Sequence, residues 1–158
     1  MTRAPLRAKG SYLLVVKVRV TVALEVGSLG RRVFPAGYYV YVGSALGGLA
    51  GRLRRHLNEK KTPRWHIDYL TDSGSVTDVV VFESEERLEC RVAETLKGQF
   101  ASVPYFGCSD CECATHLFFA RQEEELKAGL QRTLELTPAS PEVFGRTDLQ
   151  RYLGVGRR

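Results

Sequence analysis

The sequence predicts an α/β chain of the α+β kind, with strands and helices interspersed around one core. Three observations carry this expectation. The stretch SYLLVVKVRVTVALEV, Ser11 to Val26, is rich in β-branched residues, and its Lys17, Arg19, Thr21 and Glu25 share one parity, the period of a strand with one wet face. The run VTDVVVFES is apolar through its centre, as expected of a strand in the middle of a sheet. Between and after these strands lie segments whose leucines recur three or four residues apart, the spacing of one helix face.

Each element follows in order. Ser11 to Val26 reads as one long strand or, better, as two, after which GSLGRRVFPAG supplies turn residues at Gly27, Gly30, Pro35 and Gly37. A strand at Tyr38 to Val42 is ended by Gly43 and Ser44. Ala45 to Asn58 reads as a helix, weakened at its start by Gly47, Gly48 and Gly51, with Leu46, Leu49, Leu53 and Leu57 as its core stripe. TPRWHIDYLTDSGS is a short ordered segment of about one helical turn. Glu85 to Lys97 is a second helix stopped by Gly98. GCSDCECATHLFFA is a cysteine-rich turn leading into a short strand at His116 to Ala120, and Arg121 to Leu136 is a third helix. Residues 1–136 thus make one domain, and 137–158, rich in Pro, Gly and Arg, reads as a basic, loosely docked tail.

Composition narrows the function classes. A chain of 158 residues with 44% hydrophobic and 26% charged residues suits one globular domain and excludes a disordered one. The net charge of +5 suits a polyanionic partner without requiring one. No apolar stretch reaches the ~20 residues of a membrane helix. The run MTRAPLRAKGSYLLVV is broken by Lys17 and Arg19 and fails as a signal peptide, so a cytoplasmic protein without membrane contact is expected. There Cys90, Cys108, Cys111 and Cys113 are expected as thiols or metal ligands rather than disulfides.

The chemistry-bearing residues fall in a pattern. Arg52 and His56, an i, i+4 pair, border the leucine stripe where helix meets sheet, whereas Arg54 and Arg55 point away from it as solvated charges. On the second helix Glu89 lies among Leu88, Val92, Ala93 and Leu96 and so faces inward. A buried carboxylate must pair, protonate or bind a cation, which leaves a salt bridge to an arginine and a divalent metal both open. Cys108, Cys111, Cys113 and His116 have the atoms for tetrahedral zinc, but the C-x-C step is cramped and Asp110 and Glu112 disfavour the thiolates. A tight turn packed on the helices is the preferred reading.

With these residues assembled, the chain resembles the GIY-YIG endonuclease superfamily, in a small Uri-like branch, over Gly10 to Phe118. In YVGSALGGLAGRLRRH, Tyr41-Val42-Gly43 resembles the second tripeptide, Leu49 the apolar helix residue, Arg52 the catalytic arginine and His56 the polar residue one turn on. Gly10-Ser11-Tyr12 resembles the first tripeptide, Glu89 the metal-binding glutamate and His66 an accessory phosphate-contacting histidine. Ser44, where some relatives carry lysine, and Arg55 join His66 as candidate substrate contacts.

The resemblance implies a small central, mostly antiparallel sheet flanked by helices. Tyr12 and Tyr41 stand much farther apart than the two tripeptides do in the family, so a hairpin must be inserted near the N-terminus. It implies a metal-dependent endonuclease hydrolysing DNA phosphodiester bonds in repair or processing, on a branched, damaged or single-stranded substrate. Tyr41 would be the general base, its phenol pKa lowered by nearby positive charge, and Arg52 would stabilise the phosphate's growing charge. Glu89 would hold Mg²⁺ or Mn²⁺, His56 would orient the base or phosphate, and Tyr12 would complete the wall. Gly43 would let the backbone turn sharply between strand and helix. The rivals are a non-catalytic nucleic-acid-binding module with a cysteine-rich structural turn, and an interaction protein docking an acidic partner.

Overall fold

The structure, a computed structural model, describes residues 8–45, 47–58, 62–107 and 114–155. Leu46, Cys108, Cys111 and Cys113 lie outside the described residues.

The β-branched run divides into β1 (Gly10–Val18) and β2 (Val22–Glu25), and β2 pairs with β3 (Arg31–Phe34) as a separate hairpin. This hairpin lies between Tyr12 and Tyr41, where the resemblance implied an added hairpin. The chain continues through β4 (Gly37–Ala45), α1 (Leu49–Leu57), α2 (His66–Ser73), β5 (Ser75–Glu83), α3 (Glu89–Lys97), β6 (Ala101–Val103), β7 (Leu117–Ala120), α4 (Glu123–Leu136), β8 (Pro141–Gly145) and α5 (Arg146–Leu153). Apart from the hairpin, the strands form one antiparallel sheet in the order β6-β7-β4-β1-β5-β8.

β1 lies inside this sheet and is buried on both faces, which is why it is continuously apolar from Tyr12 to Val16. Tyr12, Leu14, Val16 and Val18 face one core with Tyr39 and Tyr41 of β4, covered by Leu49, Leu53 and Leu57 of α1, Ile67 and Leu70 of α2, and Leu149 of α5. Leu13 and Val15 face the other, with Val40, Val42 and Phe82, under Val92 and Leu96 of α3 and Leu126 of α4. Each such side chain contributes roughly 1.5–3 kcal/mol on leaving water.

Four expectations need correcting, the first being the second helix, which begins at Glu89 rather than at Glu85. β4 does not end at Gly43: it runs on through Ser44 to Ala45, and the helix starts only at Leu49. Gly43 is therefore no hinge. A Cβ there would stand 2.6 Å from both Cζ and the hydroxyl of Tyr12, directly across the strand pair, so the glycine admits the ring. The segment from 137, as far as residue 155, is not a loose tail. Its β8 pairs with β5, and Phe144, Leu149 and Leu153 are buried. Pro141 opens this edge strand, where a missing N–H costs little. The segment around Trp65 is longer than one turn, reaching eight residues in α2.

Among the described residues no helix is long and apolar enough to cross a membrane.

Candidate active site

The register of β1 and β4 assembles the first pair of groups. Tyr12 pairs with Gly43 and Leu14 with Tyr41, which makes the two tyrosines diagonal neighbours on one face, their ring centres 6.5 Å apart. α1 lies over this face. From it His56 reaches down, and its Nε2 and the Tyr12 hydroxyl form a buried hydrogen bond of 2.7 Å. The His56 ring is 6.4 Å from that of Tyr41. One turn earlier Arg52 donates from Nη1 to the Ser44 carbonyl at 2.7 Å, and its guanidinium lies 4.5 Å from the ring centre of Trp65. The helix border expected for this pair is where both stand.

Glu89 completes the cluster from another direction. It opens α3, where the unpaired N–H groups of the first turn favour an anion, and it is only 6% exposed. Arg87 holds one of its carboxylate oxygens, and His116 Nδ1 lies 3.7 Å from the other. The His116 ring is 6.5 Å from the Tyr41 ring, and the Glu89 charge acts on both Tyr41 and Tyr12. His116 thus links the Glu89 carboxylate to the Tyr41 ring, although Glu89 belongs to the helix layer over the other core.

Electrostatics correct one expectation. Burial pushes the Tyr41 phenol well above its ordinary range, and the charges of Tyr12 and Glu89 push in the same direction; Arg52 opposes them without prevailing. Tyr12 is raised by burial in the same way, again against Arg52. Both phenols keep their protons at neutral pH.

Three candidate substrate contacts fare differently. His66 stands beside the site: the Gly107 N–H donates to its Nδ1 at 2.9 Å, which leaves Nε2 to carry the proton of the neutral ring. Burial and then Arg32 lower its pKa. Gly107 in turn abuts Tyr41, for a Cβ there would meet the ring at 3.1 Å. Ser44 is not a contact, because its buried side chain faces the other core, 3.4 Å from Ser11 Oγ. Its carbonyl instead anchors Arg52. Arg55 is committed rather than solvated: it pairs with Asp68 Oδ2 at 2.7 Å and lies 4.8 Å from the Trp65 ring centre. The same Asp68 oxygen accepts the backbone N–H groups of Arg64 and Trp65 at 2.8 and 3.0 Å. Burial alone would raise the Asp68 carboxyl; the bonds from Trp65, Arg64 and Arg55 outweigh it and hold the pKa below the ordinary value.

A family model described as a domain of unknown function, DUF123, matches residues 11–138. The chain belongs to the DUF123 family. No curated protein and no solved structure matches it. The DUF123 match takes in Tyr12, Tyr41, Arg52, His56, Glu89 and His116, and ends before β8 and α5.

Within this DUF123 chain the donor set sets the kind of ion that fits. Among the described residues no three His, Cys, Asp or Glu side chains gather into a cage. One carboxylate suits Mg²⁺ or Mn²⁺, which keep several waters and take the remaining ligands from a substrate phosphate. Arg87, half exposed, pairs with one oxygen of the carboxylate that such an ion would need. Zinc at Cys108, Cys111, Cys113 and His116 falls mostly outside the described residues, and His116 itself is turned to Glu89. Cys90 departs from the thiol expectation, because it is disulfide-bonded. Such a pairing depends on which segments the fold brings together rather than on cysteine spacing. The sequence reading missed Trp65, whose ring carries Arg52, Arg55 and, at 5.6 Å, Arg64. It also missed His116 as a neighbour of Glu89. Trp65 had a signal in the RWHIDYL run, an aromatic set beside cations; His116 had none beyond the cysteines around it.

Proposed function

We propose that this DUF123 chain is a divalent-metal-dependent endonuclease that hydrolyses phosphodiester bonds of DNA, acting in repair or processing. The observation that carries the reading is the cluster of Tyr12, Tyr41 and His56, drawn from β1, β4 and α1, with His116 linking the Tyr41 ring to the Glu89 carboxylate of α3 and Arg52 one turn before His56. A site for binding alone has no use for a buried carboxylate next to two phenols. The resemblance to GIY-YIG enzymes supports the same reading residue by residue.

A phosphodiester repels nucleophiles by its own charge, so positioned cations lower the barrier. Arg52, fixed by the Ser44 carbonyl and the Trp65 face, stabilises the charge that grows on the phosphate. Tyr41 takes the proton of the attacking water. Its raised pKa means that only a minor ionised fraction does this near neutrality, and the Arg52 charge enlarges that fraction. His56 holds the Tyr12 hydroxyl, and together they fix the wall against which phosphate and water are oriented. Glu89 would hold Mg²⁺ or Mn²⁺, an ion that supplies charge to bind the scissile phosphate and to stabilise the departing 3′ oxygen.

The test is a nuclease assay with Mg²⁺ or Mn²⁺ over single-stranded, duplex, flap and junction oligonucleotides. Endonucleolytic products are expected. Salt-sensitive binding without turnover would favour the non-catalytic module, the reading that the raised Tyr41 phenol favours; failure to bind DNA would reject both.

A further inference from the structure

The turn after β6 presents an aromatic ring to solvent in a conformation such residues avoid. Tyr105 is 67% exposed, and its φ of 62° is the only positive one at a non-glycine among the described residues. For a bulky side chain this is a genuine outlier, and it persists only where the surroundings impose it.

Here they do. The Tyr105 N–H donates to the Ala114 carbonyl at 3.2 Å, the Phe106 carbonyl accepts the His116 N–H at 2.8 Å, and the Phe106 N–H donates to Thr115 Oγ1 at 3.3 Å. Phe106 is fully buried, with its ring 6.4 Å from Tyr41, 6.1 Å from Phe34 and 5.5 Å from His66. Gly107 donates to His66, and Arg32 of the inserted hairpin donates to the Pro104 carbonyl at 3.3 Å. The turn is therefore clamped on both sides. It sits against Tyr41 and holds a single ring outward, with Arg32 bonded to the carbonyl of the residue before Tyr105 and His66 to the N–H of Gly107, two residues after it.

We propose that Tyr105, flanked by Arg32 and His66, is the stacking platform for an unpaired base beside the phosphate to be cut, so that the substrate is single-stranded or branched DNA. The proposal rests on the nuclease reading and narrows it. In a continuous duplex both faces of every base are already stacked, and a protruding ring gains nothing. A base that has lost a neighbour stacks on a phenol whatever its identity, while Arg32 and the His66 Nε2–H take the phosphates on either side. The inserted hairpin thereby acquires a purpose, since it brings Arg32 to this edge of the site.

The test measures binding without divalent metal, so that it does not depend on cleavage. Fluorescence anisotropy compares wild type, Tyr105→Asn and Tyr105→Phe on a single-stranded and a blunt duplex oligonucleotide, with thermal melts alongside. Asparagine tolerates a positive φ, so Tyr105→Asn should melt no lower than wild type and yet bind the single strand roughly 5- to 150-fold more weakly. Duplex binding should hardly change, and Tyr105→Phe should bind as wild type does. Unchanged single-strand affinity in Tyr105→Asn, or an equal loss on duplex, would overturn the stacking role while leaving the nuclease reading intact. Failure of wild type to bind either oligonucleotide would overturn the nuclease reading itself.

Discussion

Gly43→Ala tests how the tyrosine cluster is packed. The new Cβ would lie 2.6 Å from Cζ and from the hydroxyl oxygen of Tyr12 and 2.9 Å from Cε1, about 0.8 Å short of the 3.4 Å at which ordinary contact begins. Tyr12 has little freedom to retreat, since it is fully buried and its hydroxyl is bonded to His56. Overpacking of this kind costs about 1–3 kcal/mol, against which removal of a strand glycine returns about 0.5–1 kcal/mol. A net loss of about 1–2 kcal/mol, or roughly 2–8 °C in Tm for a chain of this size, is expected. A ring displaced by close to an ångström should also lower cleavage on the order of 10²-fold. The control is the same substitution in a Tyr12→Ala background, where the clashing atoms are gone and Gly43→Ala should be neutral or slightly stabilising. Thermal melts read both backgrounds, and single-turnover cleavage reads Gly43→Ala in the wild-type background. A variant as stable and active as wild type would refute the packing argument, and equal damage in both backgrounds would return Gly43 to the role of a hinge.

Other expectations follow from the same geometry. Asp68→Asn leaves the Arg55 guanidinium without its anion and should cost about 2–3 kcal/mol, the lower range because Arg55 is partly exposed. Because the folded-state pKa of Asp68 lies below its model-peptide 3.8, its charge stabilises the fold above that pH and the contribution is lost as pH falls through the folded value. Melts on the acid side should therefore show a steeper fall for wild type than for Asp68→Asn. Arg52→Ala should lose roughly 10²-fold or more in cleavage rate in single-turnover assays. If ionised Tyr41 is the base, the cleavage rate should climb about tenfold per pH unit between roughly pH 7 and 9, and Tyr41→Phe should remove the climb; a flat wild-type profile would contradict the assignment. Truncation before Pro141 uncovers β5 and removes buried Phe144, Leu149 and Leu153, so chains ending there should be recovered as aggregate rather than as folded protein in size-exclusion runs.

The parts of the fold that were legible share a strong local signal. β1 and β5 announce themselves through apolar runs rich in valine, and α1 through its leucine stripe, from which the positions of Arg52 and His56 follow by helical geometry. Glu89 was legible in the same way, because a charge among four apolar neighbours on a helix must turn inward. What stayed hidden depended on partners distant in the chain. β8 is short and opens with proline, and only its pairing with β5 makes it a strand. Ser44 looked like a substrate contact until strand parity turned its side chain to the opposite core, and Arg55 looked solvated until Asp68, thirteen residues on, took its charge. The Tyr41 phenol misled for a related reason. Positive charge nearby is visible in a sequence, whereas the depth of burial that outweighs it is not.

The claim on which the rest depends is that the carboxylate of Glu89 serves cleavage at the tyrosine cluster. Single-turnover cleavage by Glu89→Ala in saturating Mg²⁺, with DNA affinity measured on the same preparation, tests it most directly. The expected result is DNA binding close to that of wild type with no product above background. Cleavage at the wild-type rate would contradict the account.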